Sequence, residues 1–535
     1  MAFRTNNYQQ ISLFDKLGFL SDRKLRMLRK SWAQVFSDHV FTHINEQIFA
    51  PLYSEKTNSR PNAPINVIIG ALILKEFSGL TEDELLETCE FDYRFQYALH
   101  TTSFEEQPLS DRTFSRFRQR CAEYEVVTGI DLIHECFVQL ADDIRQFMDI
   151  SPNITRMDSM MIESNIRKMG RLELLYTCLS NLVKEIHSDG DDDLIKGLEH
   201  YWQPNDRNKI VYYASDIPQE QRLQSVIDDA VELLPKAEES YGDTTEYQLL
   251  KRALSEQTKK DDNDHVVPKT KADGMDSSIL QNPSDPDATF RSKAGKQHRG
   301  YAANITEAVG RNGSIPTDYQ FDVNTRSDHS FIEEVIEKKE SDEHTTIIAD
   351  GAYSGDDIQE KAAEKNIGVI TTGLLGRKPR EILADFKLSD DGKNIISCPE
   401  GYAPRSSSYI RQTDSIRVSF LKEHCEGCPH LEECKAKLKE RTSFMVVSLN
   451  ARQHAIELID RKSDEIMTIV GRIRNGVETI PSILRRRYNV DEMPVRGRCR
   501  TGQFFGIKMH SLIFSKLLRY TQGLEKCRPL SPQIG

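Results

Sequence analysis

Asp350 ends the run TTIIAD (345–350), a strand-forming stretch that stops at an acid and a turn. A buried strand ending in an acid puts that acid at the carboxyl edge of a sheet, where α/β folds bind ligands. Asp350-Gly351 is also ordinary turn chemistry, so a plain turn fits the same residues. A second acid, Asp158, lies within the strand-like SPNITRMDSMMIES (151–164), and a third, Glu478, lies in a late helical stretch. Four cysteines cluster as Cys398, then Cys425-x2-Cys428-x5-Cys434. Four thiolates with one tight pair can hold a tetrahedral zinc ion. Reduced cysteines lining a small insertion fit the same spacing, and His424 and His430 are alternative ligands. Cys89, Cys121, Cys136, Cys178, Cys499 and Cys527 read as packing or surface residues.

The elements that position these residues sit in a chain of 535 residues, long enough for several domains. Its hydrophobic fraction of 38% and charged fraction of 29% fit a globular protein with polar insertions. The most apolar run, PINVIIGALIL (64–74), is too short to span a membrane, and MAFRTNNYQQ carries no apolar signal core. A cytoplasmic protein with no membrane partner is therefore expected, and ten cysteines in so long a chain make no disulfide framework. The net charge of −12 hides an asymmetry. Residues 187–245 hold 14 acids and 5 bases, whereas residues 471–528 hold 13 bases and 4 acids. The second segment is the electrostatic footprint expected for a polyanion partner.

Residues 1–150 read as an all-α domain. FLSDRKLRMLRKSW has Ser21 at a cap position, PINVIIGALILKEFSGL opens on Pro64, and Thr81 with Glu84 forms a capping-box pattern. A further helix follows Ser110 and carries Arg112, Arg116, Arg118 and Arg120. Short helices with sharp turns resemble a helix-turn-helix module, and a plain bundle with a solvated basic face fits them equally. Residues 151–186 read as a strand and a helix. Residues 187–279 read as an acidic insertion, helical or partly flexible, especially over Lys251–Val266. From 280 to 376 the pattern is hairpin, helix, strand, helix, strand, with the turn RNGS between the first two strands. Residues 377–450 form a small cysteine-rich insertion, and 451–535 a long helix with a basic tail.

The motifs RMDSMMIESN (156–165), SDPDA (284–288), GYAANITEAV (300–309), ADGAYSG (349–355) and RIRNGVETIPSILRRRYNVDEMPVRG (472–497) occur in this order. In order and spacing the chain resembles the DDE transposases of bacterial insertion sequences, in the branch with an N-terminal helical domain and a cysteine-bearing insertion. The resemblance implies a multidomain α/β fold with an RNase H-like mixed sheet flanked by helices. It implies Asp158, Asp350 and Glu478 as the catalytic acids, ligands of two Mg²⁺ or Mn²⁺ ions. The family's late motif is Arg, three residues, Glu, six residues, Lys; Arg474, Glu478 and Arg485 follow it with Arg for Lys, and Gly471 replaces its Tyr. Glu492 is the competing third acid and Asp491 a distant one.

The resemblance further implies cleavage at terminal inverted repeats and strand transfer into target DNA, by a homodimer or larger synaptic complex that is nucleoid-associated when bound. A transposase-derived DNA-binding protein and a nuclease of the same fold are the alternatives. Expected DNA contacts are Arg474, Arg485, Arg486, Arg487, Arg496, Arg498 and Arg500, Lys293, Lys296 and Arg299 before the GYAAN strand, and Arg116 and Arg120 on the N-terminal helix. A structural zinc ion on Cys398, Cys425, Cys428 and Cys434 is the further metal expected.

Overall fold

The computed structural model describes residues 1–6, 15–54, 59–103, 109–213, 217–274, 276–293, 295–339, 343–372, 380–463 and 465–523. Cys527 lies outside them. The chain divides into two units, one of residues 1–152, 158–331 and 479–535, the other of 153–157 and 332–478.

In the first unit the helix signals work locally. Pro64 sits at the N-cap of Ile65–Ser78, and Gly79, at φ 70°, ends that helix in the left-handed region. Thr81 and Glu84 close the capping box over Glu82–Phe91, and Asp111–Thr128 follows Ser110. The run after Ser21 is two helices rather than one. Asp22–Arg29 stops, and Ser31 caps Trp32–His39 by accepting from the Ala33 amide at 3.3 Å.

The C-terminal helix Arg498–Thr521 is buried from Thr501 to Leu517 and packs on Ile65–Ser78, Asp111–Thr128 and Leu132–Phe147. Phe514 meets Phe77 at 4.7 Å and Phe36 at 5.0 Å. This corrects the reading of the last segment as a basic tail. Lys508 donates to Glu76 at 2.6 Å, and Lys516 donates to Glu307 at 2.9 Å, all four side chains being largely buried. Burial raises the Glu76 carboxyl, but Lys508 and then Lys75 pull it below its ordinary range. This helix is covered on every side despite its polar residues, and its two lysines are paired inside rather than offered to a ligand.

Strand β1 spans Ile154–Glu163, as expected. In the first unit it lies beside β3 (Lys296–Gly310), which pairs antiparallel with β2 (Thr289–Lys293) and with β4 (Gly313–Val323) across the expected turn. The β3–β4 register slips between Thr306 and Glu307. Gly300 has φ 146°, and a Cβ there would overlap the Ile162 carbonyl, so glycine is what lets β3 approach β1.

The acidic insertion is a packed helical layer. Arg171–Asp189, Gln219–Tyr241 and Thr245–Gln257 share a core that includes Leu175, Leu179, Leu182, Ile227, Leu233 and Leu250. Lys251–Val266 departs from the flexible reading. The helix continues to Gln257, and Thr258–Lys260 then pairs with Val266–Pro268. Leu250 and Ala253 give this polar stretch a buried helical face.

In the second unit the first residues of β1 pair parallel with β5 (Thr345–Ala349), matching Ile154 with Thr346, Thr155 with Ile347 and Arg156 with Ile348. Helix Asp356–Glu364 then leads to β6 (Ile367–Thr371), parallel to β5. The cysteine-bearing segment is built on an antiparallel four-stranded sheet of Ser406–Ile410, Ser415–Leu421, Lys437–Leu438 and Thr442–Ser448 over Phe386, Ile416, Val418 and Val447. Helices Leu449–Ser463 and Glu465–Asn475 follow. The class is mixed α/β with parallel and antiparallel pairs. Among the described residues no helix is long and apolar enough to cross a membrane.

Candidate active site

Asp350 directly follows β5, so it is at a strand's carboxyl end and also starts a turn. Its carboxylate accepts from the Gly351 amide and caps the short helical turn Gly351–Tyr353. Both readings of the sequence are thus realised by one residue. Its side chain is 54% exposed.

Arg474 draws Asp350 together with Glu478. Its Nη1 donates to Glu478 Oε1 at 2.5 Å, and its Nη2 lies 3.7 Å from Asp350 Oδ2. The guanidinium is 10% exposed, so one buried cation serves two open carboxylates. The fork expected to face a phosphate is turned onto these acids. Glu478 lies in the expected helical stretch, at a short 3₁₀ turn within it. It ends the turn Gly476–Glu478, after Glu465–Asn475 and before Thr479–Tyr488. Pro481 is the reason for the break: it lacks an N–H and suits only the first turn of the second helix. The rival Glu492 is exposed in the other unit, and Asp491 there pairs with Arg485 at 3.0 Å.

Arg156 was not legible as a site residue. It is buried on β1 and its Nη1 donates to the Ile473 carbonyl at 2.5 Å. Ile473 lies in the last turn of Glu465–Asn475, where carbonyls lack intrahelical donors. Any Cβ at Gly476 would run into the same guanidinium. Arg156 therefore fixes the turn that carries Glu478. The available signal was an arginine in a strand, two residues before Asp158. Arg156 is the register partner of Ile348, and Asp350 lies two residues past Ile348 just as Asp158 lies two past Arg156.

In the first unit, half-buried Asp158 accepts from the Ser159 amide at 3.0 Å. Ser159 Oγ donates to buried Asp328 at 2.6 Å, and Lys293 Nζ lies 4.0 Å from the same carboxylate. Asp328 was not singled out in the sequence. The SDPDA motif is a clasp: Asp285 accepts from the Tyr301 hydroxyl at 2.6 Å and from Ser164, and Asp287 accepts from the Arg498 amide at 3.0 Å.

Several expected DNA contacts have protein partners. Arg485 donates to the Met161 carbonyl at 2.9 Å, Arg496 to that of Asn165 at 2.7 Å and Arg487 to that of Phe77 at 3.3 Å. Arg498 lies 3.5 Å from Glu125, and Arg299 stacks over Phe290 at 5.1 Å. Arg486, Arg500, Lys296 and Arg116 are exposed, and Arg120 lies over the Tyr53 ring at 4.9 Å.

Cys398, Cys425, Cys428 and Cys434 do converge, on one cavity of about 30 Å³ with His424 and His430. The Cys434 thiol is pushed up to about 11, first by burial and then by its neighbouring cysteines. Ser443 donates to Cys425 Sγ at 2.9 Å. Among the described residues, however, no group of three or more His, Cys, Asp or Glu is arranged to hold a metal ion.

Comparison with known proteins bears on both ends of the chain. A family model described as a transposase domain matches residues 27–120, and one described as a transposase DDE domain matches 397–517. Glu478 and the four cysteines fall inside the second match, and Asp158 and Asp350 fall between the two. No curated protein matches. A cryo-EM structure of a piggyBac transposase synaptic complex with hairpin DNA matches 93% of this chain and 78% of its own, at 10% identity and a TM-score of 0.28, too low to support an argument. The chain is thus similar to a transposase domain over residues 27–120 and to a transposase DDE domain over residues 397–517.

Proposed function

We propose that this transposase cuts DNA at the terminal inverted repeats of its element and joins the freed 3′ ends to target DNA. Asp158, Asp350 and Glu478 would hold two divalent ions, Mg²⁺ or Mn²⁺, on an RNase H-like sheet. The observation that carries this reading is Arg474, one buried guanidinium shared by Asp350 and Glu478. The two carboxylates already share one positive charge. Asp158 is added as the third acid by the resemblance of its motif, RMDSMMIESN (156–165), to the family's. Divalent ions are general in DDE transposases, and carboxylate oxygens suit hard ions. When bound, such ions would stabilise charge on the attacking and leaving oxygens of the phosphodiester.

The chain's own residues supply the rest. Arg156 and Gly476 hold the turn of Glu478, and the planar fork of Arg474 matches phosphate as well as carboxylate. Two ends must be held together for transfer, so a homodimer or larger complex on duplex DNA follows from this function.

The test is a labelled duplex ending in the inverted repeat, incubated with Mg²⁺ and an unlabelled target duplex. The expected result is a nick at the element end and labelled strand covalently joined to the target. Cleavage without joining would favour a nuclease of the same fold. Tight binding without cleavage would favour a DNA-binding derivative.

A further inference from the structure

A cavity of about 460 Å³ lies in the N-terminal helical part of the first unit, away from the acids discussed above in sequence and built from different elements. Arg60, Arg112, Arg116 and Arg120 line it. Among the described lining residues none is acidic, and none of these four arginines forms an ion pair with a described residue. Their neighbour Arg118 behaves otherwise. It faces away, pairs with Glu82 at 2.7 Å and lies over Phe504 at 5.0 Å. The helix Asp111–Thr128 thus separates one structural arginine from a row of three at i, i+4 and i+8.

Like charges so spaced repel, and with no described acid among them an anion is the natural counterpart. The row advances about 6 Å per step, so its ends are about 12 Å apart, too far for one phosphate group but suited to successive phosphates of a strand. Uncharged donors lie in the same wall. The Ser110 and Thr113 hydroxyls, 3.0 Å apart, can turn one donor to a phosphate or sugar oxygen, and the Tyr53 ring, already under the Arg120 guanidinium at 4.9 Å, offers a face for a base. The volume is that of a small-ligand site, enough for a nucleotide-sized part of a chain.

We propose that this cavity is a DNA-strand site in which Arg60, Arg112, Arg116 and Arg120 grip consecutive phosphates. It rests on the reading of the chain as a DNA transposase, and it assigns to the N-terminal domain a defined strand-holding pocket rather than a diffuse basic face. Arg112, Arg116 and Arg120 lie on the helix whose basic face the sequence already marked; Arg60 comes from the structure.

The full-length protein tests it by fluorescence anisotropy with labelled single-stranded and duplex oligonucleotides of the element end, across a salt series. The Arg112→Ala/Arg116→Ala double variant is expected to bind at least one form about tenfold more weakly, with a salt slope lowered by about 2. Arg60→Gln is expected to lower the slope by about 1. An Arg23→Ala/Lys24→Ala control, two exposed charges on another helix, is expected to match wild type. Circular dichroism confirms that each variant is folded. Unchanged affinity and slope in the cavity variants would overturn the proposal. So would displacement of the oligonucleotide by inorganic phosphate or dAMP beyond the effect of chloride at equal ionic strength, which would mark an isolated anion site. Asp350→Asn is run alongside. It is expected to bind as wild type does, so a failure of the catalytic reading leaves the binding result readable.

Discussion

Glu478→Gln is expected to lower metal-dependent cleavage by more than about 10²-fold, since even the partners that orient metal ligands cost 10- to 100-fold when lost. Glu492→Gln is expected to leave the rate near wild type. Glu478 meets Arg474 at 2.5 Å, and the same guanidinium reaches toward Asp350 at 3.7 Å. Glu492 has no such link; it is exposed in the other unit. Glutamine keeps the size of the side chain and one carbonyl oxygen while removing the charge. A loss in Glu478→Gln therefore reports charge rather than packing, and the 64% exposure of this side chain makes misfolding a minor concern. Single-turnover cleavage of a labelled element end reads both variants. Equal rates for Glu478→Gln and wild type, with a large loss in Glu492→Gln, would transfer the third-acid role.

Glu307→Ala is expected to destabilise the first unit by about 3–5 kcal/mol, the cost of leaving a buried charge without its partner. Glu307 is fully buried at the β3–β4 register slip, and Lys516 beside it has a side chain only 7% exposed. Lys516 also donates to the Ser314 carbonyl at 3.0 Å, which does not neutralise the ammonium. Replacing the pair together, as Glu307→Leu/Lys516→Met, is expected to be near neutral, because it removes both desolvation costs at once. Both tryptophans, Trp32 and Trp202, lie in the first unit, so their fluorescence in a urea titration reports its unfolding. A loss below about 1 kcal/mol in the single variant would mean that the ammonium is hydrated rather than buried.

The sequence was most legible where the signal is local. The cap at Thr81, the hairpin around the RNGS turn and the strand running into Asp350 all depend on a few adjacent residues, and all are present. It was least legible where partners come from far along the chain. Lys508 and Lys516 read as part of a basic footprint, yet their partners Glu76 and Glu307 lie hundreds of residues away in sequence. Arg485, Arg487 and Arg496 looked like one polyanion surface for the same reason, because carbonyl acceptors leave no trace in composition. Arg156 could not be assigned from its own neighbours, since its role is set by the carbonyl of Ile473 and by the missing side chain at Gly476. Composition also misled over Lys251–Val266, where about one buried position per helical turn, as at Leu250, Ala253 and Gln257, suffices to order a polar segment.

The central claim is that Asp350 is a metal-holding catalytic acid at a strand's end. Cleavage of a labelled duplex carrying the inverted repeats, with Mg²⁺ and with EDTA, for wild type and Asp350→Asn, tests it most directly. The account predicts nicking by wild type with Mg²⁺ alone, none with EDTA, and none by Asp350→Asn under either condition despite wild-type DNA binding. Cleavage by Asp350→Asn at the wild-type rate would contradict it.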